Sequence, residues 1–232
     1  FKSVYMKREI LLKTTVIGFS NIIAIVVAFI FTYFVSNTLG PSNYGLFFIS
    51  MSIVEAAIIM FYGLGAANIK YTAQTNLKEV HEYSLKFELV IGVLIAIFLF
   101  FGSNLIASFL NKPISIYLKI ISLIFLLRPF YEILRTTFWG SKKMRYLAAM
   151  DMIFNIVKLL GSVLILKIGY SVGGLLLMYI LALMIASIAV YPLFKRLELN
   201  LGRFDPKLLL KYTKNSQLYY ILLAIFVSIV PL

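Results

Sequence analysis

The sequence SVGGLLLMYILALMIASIAVYPLF, residues 171–194, contains no charged side chain and is long enough to cross a lipid bilayer as one helix. Such a helix needs about 20 mostly apolar residues at a rise of about 1.5 Å per residue. None of the apolar segments alternates with the period of two that a membrane β-strand requires. The sequence therefore predicts an all-α integral membrane protein with six transmembrane helices, at 15–35, 46–66, 87–110, 118–138, 147–168 and 171–194.

The composition excludes most soluble classes of protein. Hydrophobic residues make up 62% of the chain and charged residues 13%, whereas a soluble domain is typically about a quarter charged. The absence of cysteine excludes disulfides, thiolate metal sites and cysteine nucleophiles. The single histidine, His81, lies in a polar gap and is predicted to be a solvated loop residue. With no nucleotide-binding loop and no catalytic constellation, we expect no enzyme activity, cofactor or metal site.

The net charge of +13 is interpreted as membrane topology, not as a nucleic-acid surface. Of the 22 Lys and Arg residues, 17 fall on one predicted side of the membrane, 3 on the other and 2 within spans. Because basic residues concentrate in cytoplasmic connections, the N-terminus and the connections 67–86, 139–146 and 195–216 are predicted to be cytoplasmic. We expect the protein in the cell membrane, in contact with membrane lipids and not with nucleic acid.

Two of these connections carry further expectations. Residues 67–86 are predicted to form a short helix lying on the cytoplasmic face, where interfacial side chains would contact the membrane. Residues 195–216 contain six basic side chains together with Gly202 and Pro206 and are predicted to separate two halves of a larger protein. An ordinary basic loop that also touches anionic lipid is an equally good interpretation of 195–216. The predicted interfacial side chains of 67–86 are Tyr71, Leu77, Tyr83 and Leu85.

The two ends of the chain suggest that it is a piece of a longer protein. It begins with Phe1, and Met6–Glu9 resembles a natural start. An apolar run begins near Gln217 and stops at Leu232, which predicts the start of a seventh span.

Three charged residues fall at the middle of predicted spans: Glu55, Arg128 and Lys158. Each costs about 2.5–3.5 kcal/mol at the centre of a single inserted helix, so we expect them to face the protein interior or a wet cavity. In one interpretation, Glu55 pairs with Lys158 or Arg128 and fixes helix packing. In the other, the charges line a cavity. Pro129, next to Arg128, is predicted to kink its helix.

Helical spacing extends each deep charge into a polar stripe. Two deep cations against one deep carboxylate favour an anionic ligand, although the balance is zero once the rest of each stripe is counted. Glu55 is alternatively a proton or cation site. The predicted substrate-binding residues are Arg128, Lys158, Arg135, Asn155 and Asn21, and the predicted ion-coupling or ion-pair residues are Glu55, Glu132 and Asp151.

The stretch Leu39–Phe47, LGPSNYGLF, resembles the LGxxxYGxF signature of polysaccharide and oligosaccharide flippases. These belong to the superfamily that also contains MATE-type multidrug exporters and lipid II flippases. Two weaker similarities support the resemblance, Gly63–Tyr71 and Phe138–Met144. Together with the helix lengths and the order of the loops, the resemblance covers essentially the whole chain.

The resemblance implies two six-helix lobes with substrate bound between them and access alternating across the membrane. It implies that residues 1–194 form the N-terminal lobe, 195–216 a basic linker and 217–232 the start of a second lobe. Family members move lipid-diphosphate-linked oligosaccharide outward for surface polysaccharide synthesis, which implies this partner and other polysaccharide-assembly proteins. Two alternatives remain open: a cation-coupled multidrug exporter that uses Glu55, and a non-transporting membrane subunit of a glycan-assembly complex.

Overall fold

The chain folds into helices connected by short turns. The computed structural model describes the backbone of residues 2–229 and the side chains of residues 15, 18 and 22–224. No β-strand occurs within residues 2–229, so the predicted all-α class is confirmed. The helices are α1 (Lys2–Thr75), α2 (Lys78–Phe109), α3 (Ser115–Gly140), α4 (Met144–Lys167), α5 (Val172–Lys195) and α6 (Pro206–Ile229).

Helix α1 consists of two arms that meet at Gly40. Gly40 has φ 72° and ψ 168°, a conformation that other residues rarely adopt. The rings of Phe31 and Phe47, on opposite sides of this break, have centroids 6.1 Å apart. In one straight helix these two residues would be separated by about 24 Å, so the chain reverses direction at Gly40. Pro41 follows at the start of the second arm, where its missing N–H leaves no helical hydrogen bond unmade.

Four helices are long and apolar enough to cross a membrane within the described residues. They are the part of α1 from Ile22 onward, α2, α4 and α5. Helix α3 is not among them because it carries Lys119, Arg128, Glu132 and Arg135. One face of α3 is packed in the protein interior, with Ile121, Ile124, Phe125 and Phe138 fully buried.

Helix α3 remains helical through Pro129, from Ser115 to Gly140. Proline has no N–H to donate to the carbonyl of Phe125, four residues earlier. Helix α2 packs closely against that carbonyl. An ideal Cβ on Gly92 of α2 would lie 2.2 Å from the oxygen of Phe125. The glycine on α2 and the proline on α3 therefore form one packing contact.

The predicted interfacial helix in 67–86 is wrong. Helix α1 continues to Thr75, and α2 begins at Lys78, after Asn76 in the left-handed conformation with φ 50°. Nothing in the sequence breaks the helical pattern before Asn76, and asparagine tolerates this conformation at the end of a helix. The predicted membrane contacts pack instead against protein: Tyr71, Leu77 and Tyr83 lie against a small core that includes Phe204 and Leu209.

The connection between α5 and α6 is fixed against the turn between α1 and α2. The backbone N–H of Asn200 donates to the carbonyl of Asn76 at 2.9 Å, and that of Lys78 donates to the carbonyl of Asn200 at 3.1 Å. Glu79 accepts a hydrogen bond from the N–H of Phe204 at 2.6 Å. Helix α6 begins at Pro206, so the second half of the predicted linker 195–216 is helical.

Candidate functional site

Charged side chains join α3 to α4. Glu132 on α3 forms an ion pair with Arg128 one turn earlier and lies 3.9 Å from Arg135 one turn later. Nε of Arg135 lies 3.5 Å from a carboxylate oxygen of Asp151 on α4. The hydroxyl of Tyr131 donates to the same oxygen at 3.0 Å. Four of the predicted site residues therefore belong to one network.

This α3–α4 network is buried at one end and more open at the other. The Arg128 and Glu132 side chains are 12% and 8% exposed, whereas those of Arg135 and Asp151 are 34% and 28% exposed. The four formal charges sum to zero. Because each guanidinium already faces a carboxylate, an anionic ligand would have to compete with Glu132 or Asp151 for it.

Lys158 on α4 stands apart from this network. Its ammonium lies over the rings of Phe31 and Phe154, 5.0 Å and 5.3 Å from their centroids. Among the described residues, no carboxylate lies within ion-pair distance of it. Rings offer a cation a favourable electrostatic face but do not neutralise it, so Lys158 is available to a negatively charged ligand.

Glu55 on the second arm of α1 is exposed. Neither Lys158 nor Arg128 lies within ion-pair distance of it in the described part of the chain. Among the described residues Glu55 therefore makes no contact ion pair with either cation, and Arg128 is paired instead with Glu132 on its own helix.

The two predicted amide ligands have different outcomes. The side chain of Asn155 donates to the backbone carbonyl of Asp151 at 2.8 Å, which places it beside the α3–α4 network. Asn21 lies in a part of α1 whose side chains are outside the described residues.

Glu88 is a charged residue that the sequence reasoning missed. It lies on α2, it is 0% exposed, and neither of its carboxylate oxygens has a hydrogen-bond partner among the described residues. Glu88 stands near the start of the predicted span 87–110, where a charge is expected at the membrane surface, so spacing alone did not distinguish it.

The prediction for His81 is wrong. The side chain is 4% exposed, and Nδ1 lies 2.9 Å from the hydroxyl oxygen of Thr137 on α3. Its ring meets that of Phe194 edge-on, with centroids 6.2 Å apart. Because α2 begins at Lys78, this histidine occupies a helix face packed against α3 and α5 and not a loop.

Three solved structures share this fold. An outward-facing multidrug resistance MATE family transporter of the MOP superfamily has a TM-score of 0.71 and 17% identity, covering 92% of this chain and 51% of that chain. A mutant of a MATE protein has a TM-score of 0.75 and 16% identity over 92% of this chain and 54% of that one. A MOP superfamily transporter from Pyrococcus furiosus, described as having a binding pocket of reverse polarity, has a TM-score of 0.70 and 18% identity, with 92% and 54% covered.

The present chain spans about half the length of these transporters. No curated protein matches it. A family model described as polysaccharide biosynthesis protein matches residues 10–229, nearly the whole chain. The resemblance found in Leu39–Phe47 is thereby confirmed: the chain belongs to the polysaccharide biosynthesis protein family, and it has the helical membrane fold of the MOP transporter superfamily.

Proposed function

We propose that the protein moves lipid-diphosphate-linked oligosaccharide from the cytoplasmic to the outer leaflet of the cell membrane by alternating access, for surface polysaccharide synthesis. The observation that carries this proposal is the state of Lys158, a cation in the middle of a predicted span that has no carboxylate partner among the residues the structure describes. A deep cation is costly unless a ligand or protein group neutralises it, and a phosphate group does so through charge-assisted hydrogen bonds. Membership of the polysaccharide biosynthesis family supports this substrate class.

The proposed architecture is a two-lobe transporter. Residues 1–194 would supply six spans, the two arms of α1 and the helices α2 to α5, and residues 217–232 would begin the second lobe after the linker 195–216. The coverage of about half of each solved transporter supports this division. The contacts of Asn76 support the proposed orientation, because they gather three basic connections at one end of the helices.

Arg128, Arg135, Asn155 and Asn21 are proposed as further contacts of the substrate. Because Arg128 and Arg135 are paired with Glu132 and Asp151, their contribution would require an exchange of partners as the phosphate arrives. Arg135 lies at the more exposed end of the α3–α4 network, and we expect it to make this exchange before Arg128 does.

The test uses full-length protein in liposomes and labelled lipid-linked oligosaccharide. We expect Lys158→Gln to slow flipping by about tenfold or more, since one lost charged contact is worth about 1.5–3 kcal/mol. Lys158→Arg should retain most of the rate. Lys167→Gln, which removes the same charge at the exposed end of the same helix, should match the wild type. Normal flipping by a folded Lys158→Gln variant would overturn the role of Lys158, whereas a folded wild-type protein that flips no lipid-linked oligosaccharide would favour a non-transporting subunit.

A cation-coupled multidrug exporter is the second candidate, and it is favoured by the exposed carboxylate of Glu55, which forms no ion pair within the described part of the chain. A carboxylate of this kind attracts a cationic substrate or a coupling ion. Efflux of a cationic dye that requires an ion gradient and is lost in Glu55→Gln would select this candidate. Lipid-linked oligosaccharide flipping that persists in Glu55→Gln would select the flippase.

A further inference from the structure

A polar pocket of about 490 Å³ lies where three segments of the chain meet. The end of α1, the turn between α3 and α4, and the first residues after α5 form its walls. This volume is within the range of pockets that bind small ligands. The pocket is distinct from the α3–α4 network, since none of Arg128, Glu132, Arg135 and Asp151 lines it.

We call this cavity the basic pocket, because three cations and one carboxylate line it. Lys142 and Lys143 come from the turn between α3 and α4, and Arg196 and Glu198 follow α5. Within the described residues, none of these three cations takes part in an ion pair. Three cations without an ion-pair partner among the described residues, all lining one concave surface, favour the binding of an anion.

The floor of the basic pocket is rigid. The turn is closed by hydrogen bonds from the N–H of Lys142 to the carbonyl of Trp139 at 3.0 Å and from the N–H of Lys143 to that of Phe138 at 2.8 Å. Lys142 itself has φ 58°. Beneath the turn, α1 approaches so closely that a Cβ on Gly140 would lie 2.6 Å from Cβ of Thr72. The backbone that carries the two lysines is therefore fixed before any ligand arrives.

Asn76, at the end of α1, is hydrogen-bonded to both of the other walls of the pocket. Its side-chain nitrogen donates to the backbone carbonyl of Glu198 at 2.7 Å, and its side-chain oxygen accepts a hydrogen bond of 3.4 Å from the hydroxyl of Ser141. One side chain thus connects the segment that carries Arg196 to the turn that carries the lysines. The backbone positions from which the three cationic side chains extend are therefore set by the fold.

The depth of the basic pocket points to a lipid. Trp139, directly before the pocket residue Gly140, has 44% of its surface exposed although the rest of that turn of α3 is buried. Exposed tryptophan is typical of the level of the lipid headgroups. The pocket opens at the ends of membrane-crossing helices, on the side where the basic residues of the chain accumulate.

We propose that the basic pocket binds the phosphate of an anionic membrane phospholipid. Lys142, Lys143 and Arg196 would contact the phosphate, and the remaining volume would hold the polar part of the headgroup. This binding does not depend on which substrate the protein moves. A site formed by three fixed segments predicts selectivity for an anionic lipid beyond the general attraction of a basic surface.

The test measures the association of spin-labelled phosphatidylglycerol and phosphatidylcholine with full-length protein in phosphatidylcholine vesicles. We expect the wild type to prefer phosphatidylglycerol. The triple variant Lys142→Gln, Lys143→Gln, Arg196→Gln should lose about tenfold or more in that preference. The matched triple variant Lys207→Gln, Lys211→Gln, Lys214→Gln, with the same change of charge on α6, should lose about twofold at most. Equal losses in the two triple variants would show diffuse attraction and overturn the proposal.

A second variant tests the cavity itself separately from the charges that line it. Ala73→Trp fills the basic pocket from the exposed end of α1 and leaves every charge in place. We expect it to lose the preference for phosphatidylglycerol as the first triple variant does, with an unchanged circular dichroism spectrum. Retained preference in a folded Ala73→Trp variant would overturn the pocket as the site. Glycerol 3-phosphate should displace the labelled lipid only at a large excess, because it carries the phosphate but lacks the acyl chains. Displacement at a concentration equal to that of the lipid would show that the pocket takes a free phosphate and would overturn the lipid as its ligand.

Discussion

The side chain of Gln217 on α6 is hydrogen-bonded to the backbone of Gly63 on α1. The N–H of Gly63 donates to the amide oxygen of Gln217 at 2.9 Å, and the amide nitrogen of Gln217 donates to the carbonyl of Ile59 at 2.8 Å. Gly63 and Ile59 are four residues apart, so their N–H and C=O are partners in a regular α-helix. Gln217 therefore binds both members of one step of the α1 hydrogen-bond ladder, a place where an inserted side chain commonly bends a helix.

This contact makes Gly63 sensitive to any side chain. A Cβ at Gly63 would lie 2.6 Å from the amide oxygen of Gln217 and 2.9 Å from the backbone carbonyl of Thr213. The backbone atom cannot rotate away, so we expect Gly63→Ala to destabilise the protein by about 1–3 kcal/mol. Thermal unfolding in detergent measures this. Gly45→Ala, on the same helix with no atom within 4 Å of the added Cβ, is the control. Equal melting temperatures for the two variants would contradict the close packing of α1 and α6.

The contact between α2 and α3 gives a second prediction of the same kind. In Gly92→Ala the added methyl group would lie 2.2 Å from the carbonyl oxygen of Phe125, which Pro129 leaves without its helical donor. We expect a loss of about 1–3 kcal/mol in the free energy of unfolding.

The control for Gly92 is Gly102→Ala on the same helix. Its Cβ would meet only the flexible end of Ile106 at 3.9 Å. Alanine is the better helix former by about 1 kcal/mol, so Gly102→Ala should be neutral or stabilising. A Gly92→Ala variant as stable as Gly102→Ala would mean that the two helices pack less closely than the structure shows.

The helices were predictable from the sequence, and the contacts that set them against each other were not. An apolar run such as 171–194 is stable in lipid only as a helix, since a single segment can make all its backbone hydrogen bonds internally in no other way. Helix α5 occupies this run. Gly92 and Gln217 look unremarkable in sequence because their partners, Phe125 and Gly63, lie on other helices.

The candidate site, too, was predictable only in part from the sequence. The spacing of Arg128, Glu132 and Arg135 places them on one helix face, and their ion pairs follow from that spacing. Whether α2 or solvent covers that face depends on tertiary packing. The burial of Glu88 against α3 was therefore beyond the reach of spacing, as was the missing contact between Glu55 and Lys158.

The ion pair of Arg135 with Asp151 is expected to couple α3 and α4 energetically. A double-mutant cycle with Arg135→Gln and Asp151→Asn should give a coupling energy of about 0.5–3 kcal/mol, because both side chains are partly shielded from water. Unfolding in detergent, followed by circular dichroism, measures each corner of the cycle.

An exposed pair provides the comparison for this cycle. Lys78 and Glu82 on α2 lie 3.3 Å apart, with 58% and 51% of their side chains exposed. Exposed pairs at this helical spacing contribute about 0.3–0.5 kcal/mol. A coupling energy for Arg135 and Asp151 no larger than that of Lys78 and Glu82 would contradict a structural role for the α3–α4 network.

The last prediction concerns Asn76, which both ends α1 and holds the connection between α5 and α6. Its backbone adopts φ 50° to end α1, and its side chain donates to the carbonyl of Glu198 at 2.7 Å. Asn76→Gly keeps the backbone freedom and loses the donor, whereas Asn76→Ala loses both. We expect trypsin to cleave after the exposed Arg203 fastest in Asn76→Ala, more slowly in Asn76→Gly and most slowly in the wild type, because cleavage follows local opening.

Asn111 provides the matched control for this experiment. It has φ 51° just beyond the other end of α2, where no hydrogen bond reaches the connection that holds Arg203. Asn111→Ala should carry the same backbone strain of about 1–3 kcal/mol and leave cleavage after Arg203 unchanged. If Asn111→Ala accelerates that cleavage as much as Asn76→Ala does, general loss of stability governs the rate. The order predicted for the Asn76 variants appears only if this one side chain holds the connection on the turn between α1 and α2.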